Sequence, residues 1–301
     1  MPYFTFFPVT QRLRRAFNGL ATLVFGLAAM TILVSCAAYA PAGTSGASSD
    51  SQQAAQAVQP DAHLLIRKFK PKYESNISLR QYRQADEYVR VTAPSEMGAP
   101  FAFSTRYAQT EHMPLFAESN KPNSFSRTEK WGFLAFVAEF EQHAQILEGR
   151  FAKPAVPGDP FVEVVMRTEK LDEIGAAVGD RLILTHWDSH GEPRPIGVKI
   201  VGRWAPLDHS ETYWFYDPEY FNEALMVPEH TYTNVILPRY RGIGYEYTWF
   251  ATLKLDDRNT DAINTGIARI RSGLGAILGD VEVDFLPHPI ERRGEERETT
   301  Q

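Results

Sequence analysis

The chain has 301 residues, 44% of them hydrophobic and 12% aromatic, with a formal net charge of −6. That is enough chain to bury a sizeable core, and the acidic balance gives no case for nucleic-acid binding. The single cysteine, Cys36, excludes an internal disulfide and a cysteine-type zinc site.

Residues 1–15 carry Arg12, Arg14 and Arg15 and read as a cytoplasmic N-terminus. From 16 to 40 there are 25 residues without Asp, Glu, Lys or Arg. A bilayer core of ~30 Å takes about 20 apolar residues as helix, whereas a signal h-region runs only about 7 to 15. The segment therefore reads as a retained transmembrane helix in the cell membrane. Its basic flank stays inside, and the remaining chain lies on the extracytoplasmic side. Two rivals stand beside it. "LVSC" (Leu33 to Cys36) fits lipoprotein processing, with Cys36 as the lipidation site, and "AYA" (Ala38 to Ala40) fits a cleavable signal.

Residues 41–62, rich in Ser, Gly, Ala and Gln, read as a flexible linker. A domain is expected over 63–290, with a charged tail over 291–301. "HLLIRKF" (His63 to Phe69) opens it, and Arg67, Lys68, Lys70 and Lys72 read as a solvated strand edge. Alternation over "EYVRVTA" (Glu87 to Ala93) and "FAFSTRY" (Phe101 to Tyr107) predicts two strands. Met113 to Lys130 reads as loop and Trp131 to Phe140 as an apolar strand.

"FVEVVM" (Phe161 to Met166) reads as a buried strand. A short helix over Glu169 to Ile174 follows, N-capped by Thr168 and ended at Gly175. Asp180 to Trp187 and Ile196 to Trp204 then form a hairpin. "YWFYDPEYF" (Tyr213 to Phe221) is dense in aromatics, and its Tyr213, Trp214, Phe215, Tyr216 and Tyr220 are candidate partner or ligand contacts. Core packing is the rival reading for them. Glu246 to Leu255 reads as a strand. Thr260 to Leu278 reads as an amphipathic helix, with Ile263, Ile267, Ile270, Leu274, Ile277 and Leu278 on one face. Its glycines 266, 273 and 275 weaken it by ~1 kcal/mol each relative to Ala. Asp280 to Leu286 closes as a strand. The strand–helix–strand pattern recurs at 161–186 and 246–286, so the expected class is α+β: transmembrane helix, tether, then a two-lobed mixed α/β domain.

Chemistry is sparse. "HWDSH" brings His186, Asp188 and His190 close, but across a strand end and turn, which suits a polar hairpin tip better than a metal site. No G-x-S-x-G, H-E-x-x-H or G-x-x-x-x-G-K-[ST] occurs. No catalytic residue, metal or cofactor is expected.

The stretch "AQILEGRFAKPAVPGDPFVEVVMRTEKLDEIGAAVGDRLILTH", with "IGVKIVGRWAP" after it, resembles the extracytoplasmic domain of FtsX-like ABC-transporter permeases of the macrolide-exporter and lipoprotein-release type. The shared pattern is an L-x-G-R turn at Gly149, a strand carrying Glu163, a hydrophobic-Gly-Asp turn at Val178-Gly179-Asp180, and a strand ending in Val201-Gly202. Gly149, Gly179 and Asp180 then act as structural turns. The resemblance implies a non-enzymatic, membrane-anchored domain working with a separate ABC ATPase. Such permeases continue into further membrane helices, so it also implies a truncated or split permease. A second permease copy or the missing half would then be a partner. The alternative is an exported lipoprotein or anchored ligand-binding domain lipidated at Cys36.

Overall fold

The computed structural model describes residues 61–70, 77–118, 130–254 and 260–286. The segments 1–15, 16–40 and 291–301, Cys36, and the linker 41–62 up to residue 60 lie outside the described residues. Among the described residues no helix is long and apolar enough to cross a membrane.

The described residues form a mixed α/β domain around one large sheet. Its strands are β1 (Asp61–Phe69), β2 (Phe101–Thr110), β3 (Met113–Ala117), β4 (Lys130–Val137), β5 (Ala144–Gly149), β6 (Val162–Arg167), β7 (Arg181–Trp187), β8 (Pro193–Pro206), β9 (Ala224–Met226), β10 (Gly244–Lys254) and β11 (Glu282–Leu286). The helices are α1 (Leu79–Glu87), α2 (Ala93–Met97), α3 (Phe140–His143), α4 (Thr168–Ile174), α5 (Glu229–Thr231), α6 (Leu237–Arg239) and α7 (Thr260–Leu278).

The sheet has two portions. In one, β11, β1, β10 and β2 lie side by side and antiparallel. In the other, β4, β3, β7, β8, β6 and β9 return on themselves through a parallel β4–β9 pairing. β2 and β3 run successively along the same strand β4, so the two expected lobes are joined in one hydrogen-bonded sheet.

Alternation along β1 and β10 divides the core. Leu64, Ile66, Trp249, Ala251 and Leu253 face α1, α2 and α7 in one apolar cluster. Leu65, Phe250 and Tyr107 face the other way and pack under the aromatic segment 213–221. Successive side chains of a strand point to opposite faces, so two clusters are the expected result for a sheet covered on both sides.

Four sequence expectations are corrected. Glu87 to Ala93 is helical: α1 passes through a π turn at Tyr88–Thr92 into α2. A capping box at Ser78 and Gln81 starts this helix, and its buried stripe is Tyr82, Ala85, Val89, Ala93 and Met97. The small alanines of that stripe hid the helical period behind a local alternation. Met113–Ala117, expected as loop, is β3, bridging β4 and β7. Thr168 is the first residue of α4 and not its cap; Arg167 holds the cap position without a side-chain capping bond. The basic run on β1 is not a solvated edge. β1 has a neighbour on each side, Lys68 is buried, and Arg67 pairs with Asp284 at 2.7 Å and Glu282 at 3.2 Å. Lys72 lies outside the described residues.

Candidate functional site

The glycine motifs that are dispersed in sequence meet on β8. Arg150 N–H donates to Val201 O at 2.9 Å, and Gly179 N–H donates to Ile200 O at 2.8 Å. The Ile200 amide returns a bond to Asp180 O at 3.0 Å. Three consecutive β8 residues, Ile200 to Gly202, therefore receive both turns, because Gly202 lies against the Arg150 carbonyl.

The approach is too close for side chains. A Cβ on Gly149, whose φ is +81°, would stand 2.2 Å from Val201 O and 3.0 Å from Gly202 Cα. A Cβ on Gly202 would stand 2.3 Å from Arg150 O. Asp180 closes its own turn by accepting from the Ala177 amide at 2.9 Å. β8 also carries a register shift, pairing Ile200 with Val164 and Gly202 with Val165. The intervening Val201 is the extra residue of this bulge.

Beside this junction, Arg150 forks onto Glu163 of β6 at 2.6 and 2.5 Å, and the Lys153 amide donates to the same carboxylate at 2.9 Å. The Arg150 fork, chiefly, lowers the Glu163 carboxyl from its ordinary 4.5 to about 2; partial burial opposes it and the Lys153 amide adds to it. A depressed carboxyl stabilises the fold above its unfolded value and loses that contribution as pH falls. Glu163→Gln is therefore expected to be less stable than the parent at neutral pH. The gap should close between pH 5 and pH 2. Solvent screening of this part-exposed pair limits the gap to about 1 kcal/mol. Unfolding midpoints measured across that pH range check it; a gap unchanged at low pH would contradict it.

The aromatic segment occupies the second face of the sheet. Tyr213, Trp214 and Phe215 are buried. Tyr213 donates to Ala138 O at 2.9 Å and stacks on His143 at 3.6 Å. Trp214 stacks on Trp204 at 5.7 Å, and Phe215 on Phe250 at 5.6 Å. Asp217 accepts from the Glu219 amide and starts the single turn Pro218–Phe221, while Arg167 holds Pro218 O at 2.8 Å.

Tyr216 and the 42%-exposed Tyr220 reach instead to Glu246, a carboxylate only 1% exposed. Tyr216 donates at 3.0 Å, Tyr220 at 3.2 Å, Thr248 at 2.7 Å and Gln109 at 3.3 Å. Tyr107 in turn donates to Gln109 at 2.6 Å. Burial first, then the Glu246 carboxylate, holds both phenols above their ordinary range, so they remain donors. Four donors surround this one carboxylate, and among the described residues no cation pairs with it. The arrangement clasps the segment to β10.

Sequence reasoning named Tyr216 and Tyr220 but missed Glu246, Gln109 and a second cluster. In that cluster Arg106 forks onto Glu229 at 2.9 and 2.8 Å, and Tyr82 donates to Glu229 at 2.8 Å. These partners lie more than a hundred residues apart, so no local pattern announces them. His186 is buried, with Nδ1 2.5 Å from Glu111 and Nε2 3.0 Å from Arg241 O. Asp188 accepts from the His190 and Glu192 amides and from Arg194. Among the described residues no group of three His, Cys, Asp or Glu side chains is placed to hold a metal ion.

No protein-family model matches the chain, and no curated protein matches it. Among solved structures it is similar to a domain of a putative permease protein from Porphyromonas gingivalis. The two are 11% identical with a TM-score of 0.35, covering 78% of this chain and 91% of that one.

Proposed function

We propose that the chain is a membrane-anchored extracytoplasmic domain of an FtsX-like ABC-transporter permease. It couples a separate ATPase to work outside the membrane and performs no chemistry of its own. The observation that carries this reading is the junction on β8. The residues on which the resemblance to that family rests, Gly149, Glu163, Gly179, Asp180 and Gly202, gather around one short stretch of strand and fix its neighbours there. A resemblance made of scattered weak motifs gains force when those motifs are one contact in space.

A second feature agrees. β1, the first described strand, and β11, the last, are antiparallel neighbours with His63 opposite Leu286. The start and the end of the described domain therefore lie side by side, which suits a domain carried between two membrane helices. In such an assembly, movement of the helices driven by the ATPase tilts the domain as a rigid body.

Co-purification in mild detergent tests this. The chain is expected to retain a protein that mass spectrometry identifies as an ATPase bearing G-x-x-x-x-G-K-[ST]. Recovery of the chain alone would count against the reading. Palmitate label that disappears in Cys36→Ala would assign a lipid-anchored protein instead.

A further inference from the structure

A cleft of about 330 Å³ opens at the ends of β4 and β9, where α3 and α5 begin. Small-molecule sites occupy about 300–1,000 Å³, so it is large enough for a compact organic ligand. Its floor is apolar, made by Val137, Phe151, Val165 and Met226, with Phe140 at the side. Phe140 meets Phe151 edge-to-face at 6.1 Å and Trp204 at 4.8 Å, which holds the ring in place.

The rim is acidic. Glu139, Glu141 and Glu229 all line the cleft. Glu229 is neutralised by the Arg106 fork. Glu139 and Glu141 are exposed and, among the described residues, have no ion-pair partner. Both flank Phe140 in sequence, so charge and aromatic ring share one short turn.

The backbone there is strained. Glu139 has φ 61° and ψ 21°, the left-handed region, and is the non-glycine found at positive φ among the described residues. That conformation disfavours a side chain by about 1–2 kcal/mol. Glycine would occupy it freely.

We propose that this cleft binds an organic cation with an apolar body. The ammonium sits between the Glu139 and Glu141 carboxylates, and the body packs against Phe140, Phe151, Val165 and Met226. Apolar walls supply burial, the aromatic ring favours a cation at its face, and the free carboxylates select charge. The inference does not depend on membership of a permease family.

Calorimetric titration of the full chain in zwitterionic nanodiscs, with empty discs as blank, tests it. The probes are phenylbutylammonium, phenylbutanol and phenylbutyrate, which share a body and differ in charge. The ammonium is expected to bind at least about ten-fold more tightly than the alcohol, and the carboxylate most weakly. The double change Glu139→Gln, Glu141→Gln should erase the preference while leaving alcohol binding in place. Glu139→Gly should raise the unfolding temperature and weaken ammonium binding together, a combination that a purely structural residue would not give. Equal affinity for the three probes, no binding of the ammonium, or a preference that survives loss of both carboxylates would overturn the proposal.

Discussion

Gly149→Ala is expected to destabilise the domain by about 4 kcal/mol. Two terms contribute. The left-handed backbone at φ +81° disfavours any side chain by about 1–2 kcal/mol. The added methyl would also lie 2.2 Å from Val201 O and 3.0 Å from Gly202 Cα, both backbone atoms of a strand paired on each side. Overpacking against atoms that cannot rotate away costs about 1–3 kcal/mol and sometimes more. Gly179→Ala is the comparison. Its φ is +104° but nothing lies within 4 Å of the new methyl, so only the backbone term applies. Urea unfolding of the purified chain should show the first variant losing clearly more than the second. Equal losses would mean that the close contact on β8 relaxes freely.

The glycines of α7 should separate in sign. Helix propensity alone makes each Gly→Ala change stabilising by about 1 kcal/mol. Gly275 has open space around it, so Gly275→Ala should realise that gain. At Gly266 a methyl would stand 2.4 Å from Glu96 O and 3.1 Å from Met97 Cα, the backbone of α2. The steric term wins there, and Gly266→Ala should lose about 2–3 kcal/mol. Gly273 lies between these cases. Its methyl meets the Tyr88 hydroxyl at 2.3 Å, the far end of a side chain that can swing outward. Gly273→Ala should stay within about 1 kcal/mol of the parent. Thermal unfolding of the three variants checks the order; a Gly266→Ala protein more stable than the parent would show that α2 does not pack closely on α7.

These glycines show what a sequence can and cannot reveal. The apolar face of α7 was legible because its period is local and strong, and the strand–helix–strand run through β6, α4 and β7 was legible for the same reason. Gly266 was readable only as a weakness, since its purpose depends on Glu96, far away in the chain. The α1–α2 helix was missed because β-branched Val89, Val91 and Thr92 mimic a strand while Ala85 and Ala93 carry the buried stripe. β3 was missed because Pro114 and the polar residues after it resemble a loop. The aromatic segment was visible as a cluster, yet nothing local says which rings turn inward. That is decided by the face of β10 it covers, where Phe250 takes Phe215 and Glu246 takes Tyr216 and Tyr220. Glu246 itself looked like any acidic residue in a strand.

The pairing of β11 with β1 governs how the domain bears traction. The start of β1 and the end of β11 lie at the same end of that ladder, at the His63–Leu286 rung. Separating them strains one rung at a time, as in opening a zipper, and does not load all rungs together. The β1–β11 ladder has five rungs and the β1–β10 ladder nine. β11 is thus the strand that peels first, releasing Arg67 from Glu282 and Asp284 while the rest of the sheet holds.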